Sequence, residues 1–451
     1  MSATASQDAT SILLRQDRAH LIHPHRPHLL TDQVIMERGE GCRVWDVDGR
    51  EYLDANSGLA LTNVGHARKE IVEAVAAQME QLEYFPSFWE FGNARSVELA
   101  TRVVGLAPAG LEKVFFTSGG SEGIETALRM ARYYQHQRGE PSRTIVLSRH
   151  FAYHGVEYGS GSLTGFDVFH SGFGPNLPDV HHLTPPWPFR AHLFDGEDPT
   201  EFCLRELEDV IETLGAERIA AFVGEPVMGV AGFVVPPDDY WPRIRSLLKD
   251  HGILLIADEV ITGFGRSGRW FASQRYDIEP DLMVTAKGIT SGYMPLGAVM
   301  ISGQVAEHLD TDFDGFPIGY SYTGHPVACA AALANLDIIE RDKLVERVDR
   351  LGHEILSKIV ELEQYRIVGE VRGVGLMFAI ELVSDQKKRT PLELKFRLPE
   401  FVRREFGVIL RCEGNVISFA PPFVVSESEI DRIAETLTAV LSRIDESGNL
   451  H

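Results

Sequence analysis

The chain is 451 residues long, 44% hydrophobic and 24% charged, which describes a soluble globular protein too large for one simple core and divided into two or three domains. Its 43 basic residues stand against 65 acidic ones, a balance of −22, and that excess argues against nucleic acid or an anionic membrane as a partner. Four scattered cysteines without a CxxC pair read as reduced thiols of a cytoplasmic protein, and no apolar run approaches the roughly 20 residues of a membrane helix.

Met1 to Thr10, rich in Ser, Thr and Ala with no apolar core behind it, reads as a loose terminus and not as a signal peptide. His23 to His28 holds three histidines, but its prolines make it extended and no Cys or acid stands at ligand spacing, so no metal is expected. Two alternating runs between Arg43 and Leu53, joined at Asp48-Gly49, predict a hairpin. Asp54 to Ala60 leaves it as a loop. The spacing of Ile71, Val75 and Met79 predicts one apolar face of a helix over Lys69 to Leu82. Phe85 to Trp89, with Phe88 and Trp89, is an aromatic loop that either packs or lines a substrate pocket.

A strand over Val114 to Phe116 runs into Ser118-Gly119-Gly120-Ser121 and then into a helix that buries Ile124, Ala127, Leu128 and Ala131. Strand, Gly-rich turn and helix N-terminus make an anion cradle, because bare amides and the helix dipole face the ligand there. The pattern is neither GxGxxG nor a Walker loop, which disfavours a nucleotide. Thr144 to Leu147 predicts a strand ending near Tyr153, an aromatic able to lie on a planar ring. Gly165 to Asp198, rich in Pro, Gly and His, reads as a long surface loop. Helices over Glu206 to Thr213 and Tyr240 to His251 flank a strand, Ile219 to Val223, that ends at Glu225.

The run Ile253 to Ala257 is apolar without alternation, as in a parallel strand buried on both faces. It ends in Asp258. The run Leu282 to Ala286 has the same design and ends in Lys287. Two buried strands thus deliver an acid and an amine to one sheet edge, the edge where open α/β sheets bind ligands. Pyridoxal phosphate needs that pair: a lysine for its Schiff base and an acid against its ring nitrogen. Taken alone, the pair reads equally well as an ion pair between strand ends. Strands alternating with helices from Val114 to Ile301 predict a doubly wound α/β domain.

Gly319 to Pro326 is a hydroxyl-rich loop containing Ser321. A long helix begins at Val327 and leads to a second domain. Glu370 to Glu381 reads as one strand, Gly407 to Ala420 as a hairpin turning at Glu413 to Asn415, and Glu427 to Ser442 as the closing helix.

From Leu30 to Ser442 the chain resembles the fold-type I pyridoxal-phosphate enzymes, and among them the class III aminotransferases of the ω-amine:pyruvate group. The resemblance is carried by residues 258 to 266 (Asp-Glu-Val-Ile-Thr-Gly-Phe-Gly-Arg), by Lys287 at its distance from Asp258, by Tyr-His-Gly at 153 to 155 and by Gly-His-Pro at 324 to 326. It implies a large doubly wound domain with a mixed, mostly parallel sheet over residues 61–330. It also implies a smaller α+β domain over 331–451, with residues 1–60 joining the small domain. It implies pyridoxal 5'-phosphate as cofactor, Lys287 as the Schiff-base lysine and proton carrier, and Asp258 on the ring nitrogen. Tyr153 and Val260 would flank the ring, Gly120 and Ser121 would bind the phosphate, and Glu225 belongs to the same site.

In the family a threonine of the neighbouring subunit completes the phosphate site. Ser321 stands there, which implies a homodimer or a dimer of dimers. Users of 2-oxoglutarate carry an arginine where this chain has Ser418, whereas pyruvate users place one where it has Arg411. Ala60, Phe88, Trp89 and Tyr153 would join Arg411 in contacting substrate, Ala60 standing where several relatives carry a tryptophan. The implied activity is ping-pong transfer of an amino group from a primary amine or ω-amino acid to a keto acid, pyruvate foremost. The alternatives are a taurine- or β-alanine-type pyruvate aminotransferase, or a decarboxylase or aminomutase with the same cofactor site.

Overall fold

A computed structural model of the chain describes residues 3–25, 33–309 and 315–451. Its centre is a seven-stranded sheet, in the order Leu111–Thr117, Gly297–Ser302, Leu282–Thr285, Leu254–Asp258, Ile219–Gly224, Ile145–Arg149, Val180–Leu183. All strands run parallel except Gly297–Ser302, which is antiparallel to both neighbours. The sheet is therefore mixed and mostly parallel, as expected. Leu254 and Ile256 pack with Ile124, Leu128 and Ala131 of the helix Gly120–Gln137. Leu255 faces the other way, onto Trp241, Ile244 and Leu248 of the helix Tyr240–Asp250. Helices on both faces are what an unbroken apolar strand requires.

Asp258 and Val284 are register partners on adjacent parallel strands. The acid that ends one strand and the lysine just past the other therefore emerge at the same sheet edge. The neighbouring strand delivers Glu225, and the next one leads to Tyr153.

Two smaller sheets flank this core. The predicted hairpin forms from Arg43–Asp46 and Glu51–Asp54, and Met36–Glu40 and Val408–Ile409 complete a four-stranded sheet. The third sheet orders Val368–Val374, Met377–Asp385, Val416–Phe419 and Arg411–Glu413. Its apolar side packs with the helices Leu344–Ile359 and Glu427–Leu441.

Several elements differ from expectation. The terminus expected to be loose carries a helix, Ala3–His20. The long loop contains an edge strand, Val180–Leu183, and buries Trp187, Phe189 and Phe194. Glu370 to Glu381 is not one strand but parts of two, which reverse at Gly375 with a left-handed φ of 54°. In the helix Lys69–Gln81 the buried residues are Ile71 and Gln78, while Met79 is exposed; the Gln78 amide donates to the Leu82 carbonyl. Of the histidine-bearing segment, Arg26 to His28 lie outside the described residues, and His23 Nε2 pairs with Asp17 at 2.8 Å.

Candidate active site

One cavity of about 390 Å³ opens at the carboxyl edge of the large sheet. Lys287, Asp258, Glu225, Val260, Tyr153, Gly120 and Ser121 all line it. These residues come from five separate stretches of chain, and the fold brings them together.

Burial is what shapes the chemistry of Lys287. Removing its ammonium from water pushes the pKa down from 10.5 to about 8, against the pull of Asp258 and Glu225. Its backbone takes a left-handed φ of 43° where the strand breaks off, an unfavourable conformation for a side-chain-bearing residue. Asp258 is buried and held on both oxygens: Oδ2 lies 2.7 Å from His154 Nδ1, and Oδ1 accepts the Val260 amide at 3.1 Å. Glu225 accepts the amides of Tyr153 at 3.1 Å and Gly229 at 2.7 Å. Burial raises its pKa, and its bonds tie the loop bearing Tyr153 to the next strand. The sequence marks His154 only as part of Tyr-His-Gly; its pairing with Asp258 is visible only in three dimensions.

The turn before the helix Gly120–Gln137 supplies the cradle. The amides of Gly120 and Ser121 open the helix and have no acceptor within it. A Cβ on Gly120 would lie 3.0 Å from both methyl carbons of Val260, so glycine is what lets the turn approach that side chain. A planar aromatic cofactor with a phosphate arm fits these residues. There is an anion-binding helix start, an apolar side chain and a tyrosine at the wall, a buried amine, and a fixed carboxylate. His154 Nε2, at the same wall, is buried without a hydrogen-bond partner.

The remaining expected site residues lie off this wall. Ala60 is buried behind it, at a left-handed φ of 57° in the one-turn helix Ser57–Ala60, and Leu61 reaches the cavity instead. Trp89 is 84% exposed and Phe88 packs against it, ring centres 5.7 Å apart. Ser321 is exposed, its carbonyl accepting the Tyr84 hydroxyl at 2.8 Å. Arg411 is half-buried; burial raises the pKa of Tyr153 and lowers that of Lys287, and the Arg411 charge pulls on both in the downward direction.

This fold is that of the fold-type I pyridoxal-phosphate transferases. The family model for class-III aminotransferases matches residues 26–441. The chain is 40% identical to the putrescine–pyruvate aminotransferase of Pseudomonas aeruginosa over 88% of each chain. It superposes on a thermostable (S)-enantioselective ω-transaminase from Thermomicrobium roseum with a TM-score of 0.92, at 43% identity and covering 96% and 98% of the two chains. An amine transaminase from an uncultivated Pseudomonas species, solved with pyridoxal phosphate bound, aligns at 41% identity with a TM-score of 0.90 over 94% and 98%. The protein belongs to the class III aminotransferases. It is a pyridoxal-phosphate-dependent transferase that moves an amino group from an amine donor to a keto acid in ping-pong fashion. No helix among the described residues is long and apolar enough to cross a membrane.

Proposed function

We propose that the enzyme is an ω-amine:pyruvate transaminase working as a homodimer in the cytoplasm, with residues 61–330 forming the cofactor domain and 1–60 and 331–451 its smaller companion. The observation that carries the site assignment is the meeting of a buried Lys287 and a clamped Asp258 on neighbouring strand ends. Lys287 would hold the cofactor covalently, and Asp258, fixed by His154 and the Val260 amide, would engage its ring nitrogen. Tyr153 and Val260 would flank the ring. The amides of Gly120 and Ser121 would hold the phosphate, and Ser321 of a second copy would add a hydroxyl, in keeping with its exposure in a single chain.

When bound, pyridoxal 5'-phosphate supplies an electrophilic carbonyl and a ring that draws electrons from the substrate carbon. Lys287 Nζ does the proton work. Its amine would take the proton from the donor's amine-bearing carbon and, in the second half-reaction, deliver one to the keto acid's carbon. A pKa of about 8 makes about half of that amine neutral at pH 8, where an ordinary lysine is almost wholly protonated, and so brings the base form within reach. Glu225 keeps the Tyr153 loop in place against the ring. Arg411 meets the acceptor's carboxylate, since Ser418 brings no cation there and a buried carboxylate without one is heavily penalised.

The donor is a primary amine or an ω-amino acid. The name of the Pseudomonas aeruginosa relative, which pairs a diamine with pyruvate, supports that choice. The test is a donor panel run against pyruvate and 2-oxoglutarate, scored by alanine and glutamate formed. A preference for pyruvate of roughly tenfold or more in kcat/KM, about 1.4 kcal/mol, is expected. A preference for 2-oxoglutarate overturns the assignment.

A further inference from the structure

Arg411 and Glu413 stand two apart on the edge strand Arg411–Glu413. Residues two apart share a face of a strand, and here Arg411 Nη2 lies 2.7 Å from Glu413 Oε1. The opposing strand presents Ser418 to Arg411 and Val416 to Glu413, neither of them charged. Glu413 is therefore the carboxylate that holds Arg411 in this structure.

The Arg411 charge has two places to go. It is felt inside the cavity, at Lys287 and Tyr153, yet its guanidinium is bonded to a side chain outside the cavity wall. A ping-pong enzyme presents the same pocket first with an amine and then with a keto acid. With a carboxylate in the pocket, the arginine has a partner there. With a hydrocarbon amine in the pocket, it has none, and it needs a second partner to turn away.

We propose that Glu413 is a positioning residue for the reaction: it is the outer station of Arg411, competing with the acceptor's carboxylate and clearing the pocket for uncharged donors. The proposal rests on the reading of Arg411 as the acceptor's partner. The weakness of the pair is what makes it serve. The two side chains are 35% and 57% exposed, and exposed pairs of this kind exchange partners at little cost. A buried pair would hold the arginine permanently. Gly414, left-handed at φ 58°, and Asn415, whose amide donates to the Leu382 carbonyl at 2.7 Å, fix the hairpin tip, so Glu413 stays beside its partner.

The experiment follows the two half-reactions of the holoenzyme separately by the cofactor's absorbance, with pyruvate and with 1-phenylethylamine. In Glu413→Gln the KM for pyruvate is expected to fall by about two- to fivefold, the ratio an exposed ion pair is worth. The KM for the amine is expected to rise, with both maximal rates nearly unchanged. Placed in an Arg411→Ala background, the same change should move neither constant. A hairpin damaged by Glu413→Gln would instead alter both constants with or without Arg411, and that result overturns the proposal. If Arg411→Ala raises the pyruvate KM while Glu413→Gln moves nothing, the proposal alone fails. If Arg411→Ala leaves the pyruvate KM unchanged, the acceptor reading fails and takes the proposal with it.

Discussion

Arg411 and Ser418 are register partners across the antiparallel hairpin that ends the third sheet. Directly opposed residues carry their side chains on one face, with Cβ atoms about 5 Å apart. By the family resemblance an arginine at either position would serve a different keto acid, and the pairing sets both positions at one spot on the sheet, on opposite strands. Arg411→Ala is accordingly expected to slow the keto-acid half-reaction far more than the half-reaction with an uncharged amine. Stopped-flow absorbance separates the two, and equal slowing would make Arg411 structural.

Lys287→Ala is expected to abolish turnover while leaving a folded protein that holds the cofactor weakly. Borohydride reduction of the wild type should fix the cofactor on the peptide containing Lys287; a label on Lys113 instead would refute the assignment.

The depressed pKa of Lys287 sets a pH dependence. Its neutral amine is the form that attacks a carbonyl, so uptake of pyridoxal phosphate by the apoenzyme should rise with pH through about 8 and then level, where an ordinary lysine would keep rising toward 10.5. In the unfolded apoenzyme this lysine keeps its proton up to about 10.5. Between about 8 and 10.5 the unfolded state thus binds more protons, and the contribution of Lys287 to stability grows with pH in that window. Uptake rates that are flat from pH 7 to 9 would contradict the shift.

Asp258→Asn should cost several orders of magnitude in rate with a smaller loss of cofactor, because an amide cannot stabilise a protonated ring nitrogen. A variant within roughly tenfold of wild type, about 1.4 kcal/mol of barrier, would make the acid structural.

Ser321→Ala should weaken cofactor retention by about 0.5–1.5 kcal/mol, the worth of a neutral hydrogen bond, without altering the fold. Equilibrium dialysis reads the effect, and an unchanged affinity would place Ser321 off the phosphate.

The α/β core was legible because its signals are local. An apolar run such as 253–257 with a charge at its end can be read without knowing its neighbours, and so can the glycine turn before Ile124. The edge strand Val180–Leu183 was not legible. Its centre is His181-His182, and it owes its place to pairing with Ile145–Arg149, a contact distant in sequence. The turn at Gly375 was hidden for the opposite reason: Val374, Leu376 and Met377 around it are all apolar, so no polar turn residue marks the glycine where the chain reverses. The site shows the same division. Lys287, Asp258 and Gly120 announce themselves by type and position. His154 acquires its meaning only when the fold sets it 2.7 Å from Asp258, and Leu61 takes the wall in place of Ala60 because of backbone angles that composition does not encode.

The lone antiparallel strand has a consequence for how the protein is made. Leu111–Thr117, which leads into the Gly120 cradle, joins the large sheet only through Gly297–Ser302, with Phe116 paired to Ala298. A nascent chain that has emerged as far as Ile289 already carries Gly120, Asp258 and Lys287, and the helix Gly120–Gln137 can already pack on Leu254, Ile256 and Val284. The strand that leads into the cradle, however, has no sheet partner until Gly297–Ser302 emerges, so that side of the cofactor pocket is fixed late in synthesis. Fragments ending short of Gly297 should take up pyridoxal phosphate more weakly than the full chain, however much of the chemistry they contain.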